Sequence, residues 1–467
     1  MFERTLLRRA AWCLVTVALA APTLALSQSN DSSIKKVALE MYLDQETVSN
    51  PRIAPDGQRI VYTRGWIDKM NDRRASSIWI MNADGTRNHF LVDGSGPTWS
   101  PDGTRIAFTA DGEPEGSQIF VRWMDDEGAT TQITRLEKSP SSIAWSPDGN
   151  TISFTMNVDV EPSWTVNPPG RPEGATWTAA PKVVTRADYR QDRVGFVDDG
   201  WRHIFVVPAE GGTPRQLTDG EWNHSAGAWT SDGAELLFSS LRTEDAEFSY
   251  RESEIYSVDV GTEAITQLTQ RAGTDTGAEP SPSGELIAYR GSDAHNDTYR
   301  NLGVYLMNRD GSDARLISGD FDRQISGRMQ WAPDGSGLYF TTNEAGSRNL
   351  NFLSLDGGVR QVTEGRHLLA TTSFTTDGIA VGTLTSPHAP GDVVTFDLNR
   401  PAVVTQLTHV NDDIFTGVTM GEFEEFWYKS TDDLDIQGWI IKPPDFDATK
   451  KYPMILTIHG GPHSMYT

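Results

Sequence analysis

Close to its C-terminal end the sequence runs Met454-Ile455-Leu456-Thr457-Ile458 straight into His459-Gly460-Gly461-Pro462-His463. The unbroken apolar segment reads as a buried strand, and the glycines after it are where chemistry could occur. Backbone amides with no Cβ beside them can approach a carbonyl under attack and stabilise the oxyanion that develops, each such donor contributing about 3 kcal/mol. That chemistry is acyl transfer. A bare Gly-Gly turn after a strand is the plainer reading of the same residues. An oxyanion loop also needs a nucleophile, and the Gly-x-Ser-x-Gly pattern that exposes a serine on a strand-to-helix turn occurs nowhere in the 467 residues.

Positioning such a loop falls to the rest of the chain, which is built on a repeated unit. Its clearest copy is Trp99-Ser100-Pro101-Asp102-Gly103, followed by Thr104-Arg105-Ile106-Ala107-Phe108-Thr109. Pro101 pre-sets φ, Asp102 can accept from the backbone of its own turn, and Gly103 takes a left-handed conformation. An alternating strand then leaves the turn. Aligned on the polar turn residue, the copies centre on Asp56, Asp102, Asp148, Asp232, Ser283, Asp334 and Asp377, at intervals of 46, 46, 84, 51, 51 and 43 residues. A second hairpin follows each copy, with an apolar core such as Ile78-Trp79-Ile80-Met81 or Ile204-Phe205-Val206-Val207. Its closing strand often ends Gln-x-Thr, as at Gln132, Gln216, Gln267, Gln361 and Gln406. Two hairpins per period make four strands, and a lone four-stranded blade cannot bury both faces, so the copies must pack radially. The expected fold class is all-β, a seven-bladed β-propeller, in which the Trp, Pro, Asp and Gly of the cassettes are architecture.

Residues 1–27 stand apart. Arg4, Arg8 and Arg9 form a basic head, Ala10 to Ala21 an apolar run, and Ala25-Leu26-Ser27 a small-residue cleavage site. This is the pattern of a secretory signal peptide, so an exported protein, periplasmic or extracellular, is expected, without a membrane anchor after cleavage. Cys13 is the sole cysteine, so the mature protein must be held by its core and not by disulfides. The net charge of −24 becomes −26 without residues 1–27, which carry Arg4, Arg8 and Arg9 against Glu3. So acidic a surface repels phosphate backbones and excludes nucleic acid as an expected partner. The nine histidines show no metal-ligand spacing, and the Asp-Gly turns lack the alternating series of a calcium loop, so no metal and no cofactor is expected.

Ile34 to Leu43 has helical apolar spacing ahead of the first blade. The 84-residue interval between Asp148 and Asp232 has roughly one extra blade's length but no cassette. From Glu161 to Pro181 it is rich in Pro, Gly and Trp, and Arg186, Asp188, Tyr189, Arg190, Asp192 and Arg193 follow. It reads as an excursion from the scaffold, a kind of segment that tends to carry function. Each of its charges taken singly is by default a solvated loop charge.

After about Gly421 the composition changes. Glu425 to Ser430 and Ile436 to Ile441 read as two strands across a polar turn. The repeats, then Gly438-Trp439-Ile440-Ile441-Lys442-Pro443-Pro444, Lys451-Tyr452-Pro453 and Ile458-His459-Gly460-Gly461-Pro462-His463, together resemble the prolyl oligopeptidase family of serine peptidases. The resemblance is to the branch of acylaminoacyl peptidases and secreted dipeptidyl peptidases. Thr185-Arg186-Ala187-Asp188-Tyr189-Arg190 through Gly195 is similar to that branch's insertion, whereas Asp433-Leu434 departs from the family's usual Asp-Gly. The resemblance implies a serine, activated by a histidine and an aspartate, that attacks a short peptide's carbonyl to form an acyl-enzyme. It implies a signal peptide at 1–27, then at 28–420 a TolB/WD40-like propeller with a short N-terminal helix and an insertion at about 156–200. At 421–467 it implies the truncated start of an α/β-hydrolase domain. Gly460 and Gly461 are then the oxyanion loop, with the Gly461 amide the preferred donor, and the triad lies beyond Thr467. Arg186, Asp188 and Arg190 become candidate contacts for the peptide terminus. On this reading the chain is a fragment, inert by itself, whose propeller gates access in the full-length enzyme. The rival expectation is a non-catalytic, periplasmic TolB-like propeller that binds a protein partner, which has no use for a strand ending in His459-Gly460-Gly461-Pro462.

Overall fold

The computed structural model describes residues 35–466 apart from 126–127, 161–168, 179–181, 198, 250, 298, 402 and 462–463. The secretory-signal reading of 1–27 lies outside the described residues. Among the latter, seven four-stranded antiparallel blades span 47–93, 95–132, 141–216, 228–267, 273–316, 325–361 and 368–406, and blades six and seven are joined by one parallel contact, Arg348 with Leu368. The chain is a β-propeller. The helices among the described residues are single turns, Met41–Asp44, Ala246–Phe248 and Asp412–Phe415, so the helical expectation over 34–43 contracts to a four-residue turn. Val37 and Leu39 are exposed, so no apolar stripe is buried to sustain a longer helix. None of the described helices is long and apolar enough to cross a membrane.

Each cassette closes as its residue types dictate. Gly103 N–H donates to the Ser100 carbonyl at 2.9 Å, Thr104 N–H to the Asp102 carboxylate at 3.1 Å, and Arg105 N–H to Ser100 Oγ at 3.0 Å. The same three bonds recur from Ser146 to Thr151 and from Thr230 to Glu235. Gly103 sits at φ +70, a conformation that a Cβ would strain. At the outer edge, the threonine of Gln-x-Thr accepts the first N–H of the third strand's apolar core. Ile119, Ile204, Ile255, Leu350 and Val393 donate in this way to Thr134, Thr218, Thr269, Thr363 and Thr408.

The first strand of each blade faces the axis, and the cassette tryptophan joins it to the blade before. Trp99 Nε1 donates to the Arg52 carbonyl (3.0 Å), Trp145 to Thr98 (3.1 Å), Trp229 to Ala144 (3.4 Å) and Trp331 to Glu279 (2.9 Å). Apolar packing fills the space behind these bonds. Ile119 and Val121 of blade two meet Trp145, Ile152 and Phe154 of blade three. The ring closes without a shared strand among the described residues. Val48, Ile53 and Tyr62 of blade one pack on Val381 and Val393 of blade seven, and the Asn411 side chain exchanges two hydrogen bonds with the Glu46 backbone. Among the described residues the 84-residue interval forms no eighth blade. It joins the second and third strands of blade three, Thr151–Val158 and Trp201–Pro208, which pair along their full length.

His224, fully buried beside His203, donates from Nδ1 to the Arg202 carbonyl (3.0 Å) and accepts at Nε2 from Arg242 (2.7 Å), so the neutral ring has both partners it needs. Burial, with the charge of Arg242 and the neighbouring His203, lowers its pKa to about 4.

Two outcomes follow. Trp145→Phe deletes an inter-blade bond and strands the Thr98 carbonyl, so the urea midpoint should fall by the equivalent of roughly 2 kcal/mol. For His224, the unfolded chain binds the extra proton below about pH 6.5 and the folded chain only near pH 4, so its stabilisation is complete above 6.5 and is lost as pH falls towards 4. Unfolding titrations at pH 7 and 4.5 should therefore show a smaller acid loss for His224→Gln than for the wild type, by up to roughly 3 kcal/mol.

Candidate functional site

The turns joining second to third strands all emerge on one face of the disc, opposite the Pro-Asp-Gly turns, because every blade has the same strand order. The segment 159–200 is such a turn, greatly enlarged. The corresponding turns of blades six and seven seat the C-terminal residues. Gly346, at φ +74, lies against Trp439 so closely that a Cβ there would come within 2.3 Å of the indole, and His388 Nε2 bonds the Gly421 carbonyl at 2.8 Å. Arg366 pairs with Glu425, and Lys36 with Asp445 at 3.0 Å. Strands Phe423–Lys429 and Asp435–Ile441 form the hairpin so held. The enlarged turn and the C-terminal hairpin therefore stand on the same face.

Beyond the hairpin the expected buried strand is corrected. Residues 451–460 form no strand, and Met454, Ile455, Leu456 and Ile458 are 84%, 90%, 73% and 80% exposed. A parallel strand is held by flanking strands, and none among the described residues pairs with it. His459, Gly460 and Gly461 are likewise exposed. Nothing lies within 4 Å of where a Gly460 Cβ would sit, and Gly461 has φ +139, so the loop's backbone is open to approach. Pro462 and His463 lie outside the described residues.

Within the enlarged turn, Arg186 lies over the Trp201 ring at 3.8 Å and donates to the Gly200 carbonyl at 3.2 Å. Asp188 shares a small hollow with it, whereas Arg190 lies on a two-residue ribbon, Arg190–Gln191 against Gly195–Phe196, outside that hollow. Asp188 and Arg190 are exposed and make no side-chain hydrogen bond or ion pair among the described residues. The three candidates thus divide into one anchored cation and two free charges. The backbone N–H of Ala187 bonds Glu247, which ties the segment to the neighbouring blade.

The axis holds charges that the motif search passed over. A cavity of ≈ 770 Å³ is lined by the first strands of all seven blades, and its charged lining residues are Arg52, Glu279 and Arg328. Arg328 binds both Glu279 carboxylate oxygens, and Arg52 donates to the Thr372 carbonyl. Burial works against the Arg328 charge but the carboxylate outweighs it and raises its pKa, whereas burial and the facing Arg328 lower Arg52 to about 10. The signal was available in the repeat. Four places before the turn residue stand Arg52, Thr98, Ala144, Ala228, Glu279, Gln330 and Ser373. Six places before it stand Asn50, Gly96, Ser142, Ala226, Gly277, Arg328 and Thr371. Against that uncharged background only three positions carry charge.

Over residues 173–298 the sequence matches the dipeptidyl peptidase IV (DPP IV) N-terminal region. It is similar along most of its length to an uncharacterized peptidase, YuxL, of Bacillus subtilis, with 26% identity over 439 residues, covering 90% of this chain and 65% of that one. The chain is thus similar in sequence to peptidases. A dipeptidyl-peptidase 5 of Porphyromonas gingivalis is also 26% identical, over 458 residues, covering 91% of this chain and 63% of that protein. The chain therefore spans a little under two-thirds of the length of these relatives. In fold it is similar to the Pyrococcus horikoshii acylaminoacyl peptidase, with a TM-score of 0.71 at 22% identity, covering 91% of this chain and 62% of that one. The family match takes in the enlarged turn from residue 173 onward, including Arg186, Asp188 and Arg190.

Arg186→Ala should release the turn from Trp201. Limited trypsin digestion is expected to cut at Arg190 and Arg193 several-fold faster in the variant than in the wild type, with the propeller core untouched.

Proposed function

We propose that this chain is the substrate-gating propeller, with the opening strands of the α/β-hydrolase domain, of an exported serine peptidase that hydrolyses short peptides through an acyl-enzyme. One observation supports this above the others: the enlarged turn of blade three and the hairpin leading to His459-Gly460-Gly461 occupy the same face of the disc. In this reading residues 1–27 are the export signal. Residues 28–420 are the propeller with its insertion at about 156–200, and 421–467 begin the catalytic domain. Gly460 and Gly461 provide the oxyanion loop, the Gly461 amide aimed at the developing charge. The serine, histidine and aspartate belong to residues after Thr467, so the 467-residue chain has no hydrolytic activity of its own. The exposed apolar segment at 454–458 is then the strand that the remaining hydrolase sheet covers.

The propeller supplies exclusion and orientation. It admits short or unfolded peptides and keeps folded proteins from the nucleophile. Arg186, fixed on Trp201, and the free charges of Asp188 and Arg190 contact the peptide terminus, either through its charge or through a bridging water. A TolB-like scaffold that binds a protein partner accounts for the blades, but leaves the apolar segment and its glycines without a use.

The full-length gene product is expected to hydrolyse dipeptidyl- or acylaminoacyl-anilides and to be blocked by a serine-directed fluorophosphonate. Gly461→Val, which keeps the N–H but brings a β-branched side chain to a backbone at φ +139 and so displaces the amide, should lower kcat by about 10²-fold with KM little changed. Ala substitution of Arg186, Asp188 and Arg190 should raise KM. A full-length product without hydrolytic activity on these substrates would support the binding scaffold instead.

A further inference from the structure

The axial charges bond across two blade boundaries, Arg52 to the Thr372 carbonyl and Arg328 to Glu279, but the oxyanion loop does not use them and they do not balance. Arg52, Arg328 and Arg290, which stands behind Glu279, face a single carboxylate, that of Glu279. Among the residues that line the axis one positive charge is left over, with Arg290 beside them, in a chain whose net charge is −24. Guanidiniums that face one another across a cavity repel unless an anion joins them. Free donors remain on both lining arginines. Glu279 takes Nε and Nη2 of Arg328 and leaves Nη1, and Arg328 is 66% exposed into the cavity despite the protein around it. Arg52 uses Nη1 on the Thr372 carbonyl, and its buried Nε has no partner. Nor has the Nε of Arg290.

The side chains are also held ready. A register shift interrupts the first strand's pairing in blades one, two, three, five, six and seven, and in blades one, five and six it falls beside Arg52, Glu279 and Arg328. Such bulges re-aim side chains. Trp99 and Trp331 fix the carbonyls of Arg52 and Glu279. The volume of ≈ 770 Å³ falls in the range of small-ligand pockets, and Ser142, Ser225 and Ser373 add hydroxyls to its wall. Arg52 further lines a second hollow of ≈ 410 Å³ with Asn50, Gly96 and Ser142, on the side of the enlarged turn. It therefore stands between the axial cavity and that face.

We propose that the propeller axis is a carboxylate-binding site, in which the free donors of Arg52 and Arg328 hold a carboxylate of a short peptide. A planar fork of N–H donors fits a carboxylate better than it fits any neutral peptide group. The choice of a peptide as bearer rests on the peptidase reading; the site itself rests on the charges.

The test is calorimetric titration of the 467-residue chain at low ionic strength and pH 7. The probes are N-acetyl-trialanine, its C-terminal amide, and N-acetyl-Ala-Glu-Ala amide. The free acid should bind at least tenfold more tightly than the amide, and the difference should shrink as salt is added. Binding of the glutamyl amide would extend the site to side-chain carboxylates, and its failure beside a binding free acid would confine the site to peptide C-termini. Arg328→Gln should weaken the acid at least tenfold, and Arg328→Lys should recover part of the loss. Glu279→Gln removes the competing negative charge and one of the two acceptors of Arg328, freeing at least one donor, and should tighten binding several-fold, a change in a direction that misfolding cannot produce. The proposal falls if neither carboxylate outbinds the neutral amide, or if Arg328→Gln and Glu279→Gln leave the affinity unchanged. No peptide bond is broken in the titration, so that result would leave hydrolysis by the full-length product a separate question.

Discussion

A disc of seven radiating sheets holds its shape only if each blade is fixed in angle against the next, and here the fixing contact is an indole N–H on a neighbour's axial carbonyl. It occurs at the steps into blades two, three, four and six. The other steps lack the tryptophan, since Ile53, Pro280 and Phe374 take its place, and each has a substitute. Into blade five a backbone bridge pairs Ser253 with Thr274. Into blade seven the Arg348 and Leu368 backbones meet. At the ring closure Ile53 N–H donates to Ser373 Oγ at 3.1 Å, and Arg52 to the Thr372 carbonyl. Apolar burial drives the blades together without directional preference. The directional bonds select the angle.

This arrangement shapes what the axis can carry. The tryptophan bond uses the carbonyl four places before the cassette's turn residue and leaves that residue's side chain free to face the axis. Where strands converge, most positions are Gly, Ala, Ser or Thr because little room remains. Arg52 and Glu279 occupy positions whose backbones are already immobilised, so their side chains are placed with little ordering left to do on binding. The remainder of the surface, dominated by carboxylates, cannot supply the missing negative charge at the axis without entering the cavity.

What could be read from the sequence follows from how local each determinant is. The cassettes were legible because Pro, Asp and Gly act within five residues, and because Gln-x-Thr bonds a strand only one hairpin away. The enlarged turn of blade three was visible as excess length, but its place on a particular face follows from strand order, which no local pattern states. Two readings went too far. Residues 454–458 have the composition of a buried strand, yet burial is a property of neighbours that the described residues do not provide. Residues 34–43 have helical spacing without a surface to bury it against. The axial charges escaped notice for the opposite reason, since Arg52 and Arg328 match no motif and stand out only when equivalent positions are compared between blades.

The two faces of the disc are chemically different, and that difference bears on the path of a peptide. One presents the cassette turns, with carboxylates bonded to their own backbones as at Asp102 and Asp148, together with the turns between third and fourth strands. The other carries the anchored Arg186, the open charges of Asp188 and Arg190, and the C-terminal hairpin. A segment that crosses from the first face to the second must pass Arg52 and Arg328, whereas one that enters beside the enlarged turn first meets Arg186. Those routes present opposite demands: the axial route is read by guanidiniums set in rigid strands, the lateral one by charges on a segment held chiefly through Trp201 and Glu247. A rigid cationic axis discriminates carboxylate from amide by charge alone, and a lateral turn adapts to sequence. On the proposed function the propeller would therefore recognise one end of a peptide through the scaffold and the body of the peptide through the insertion.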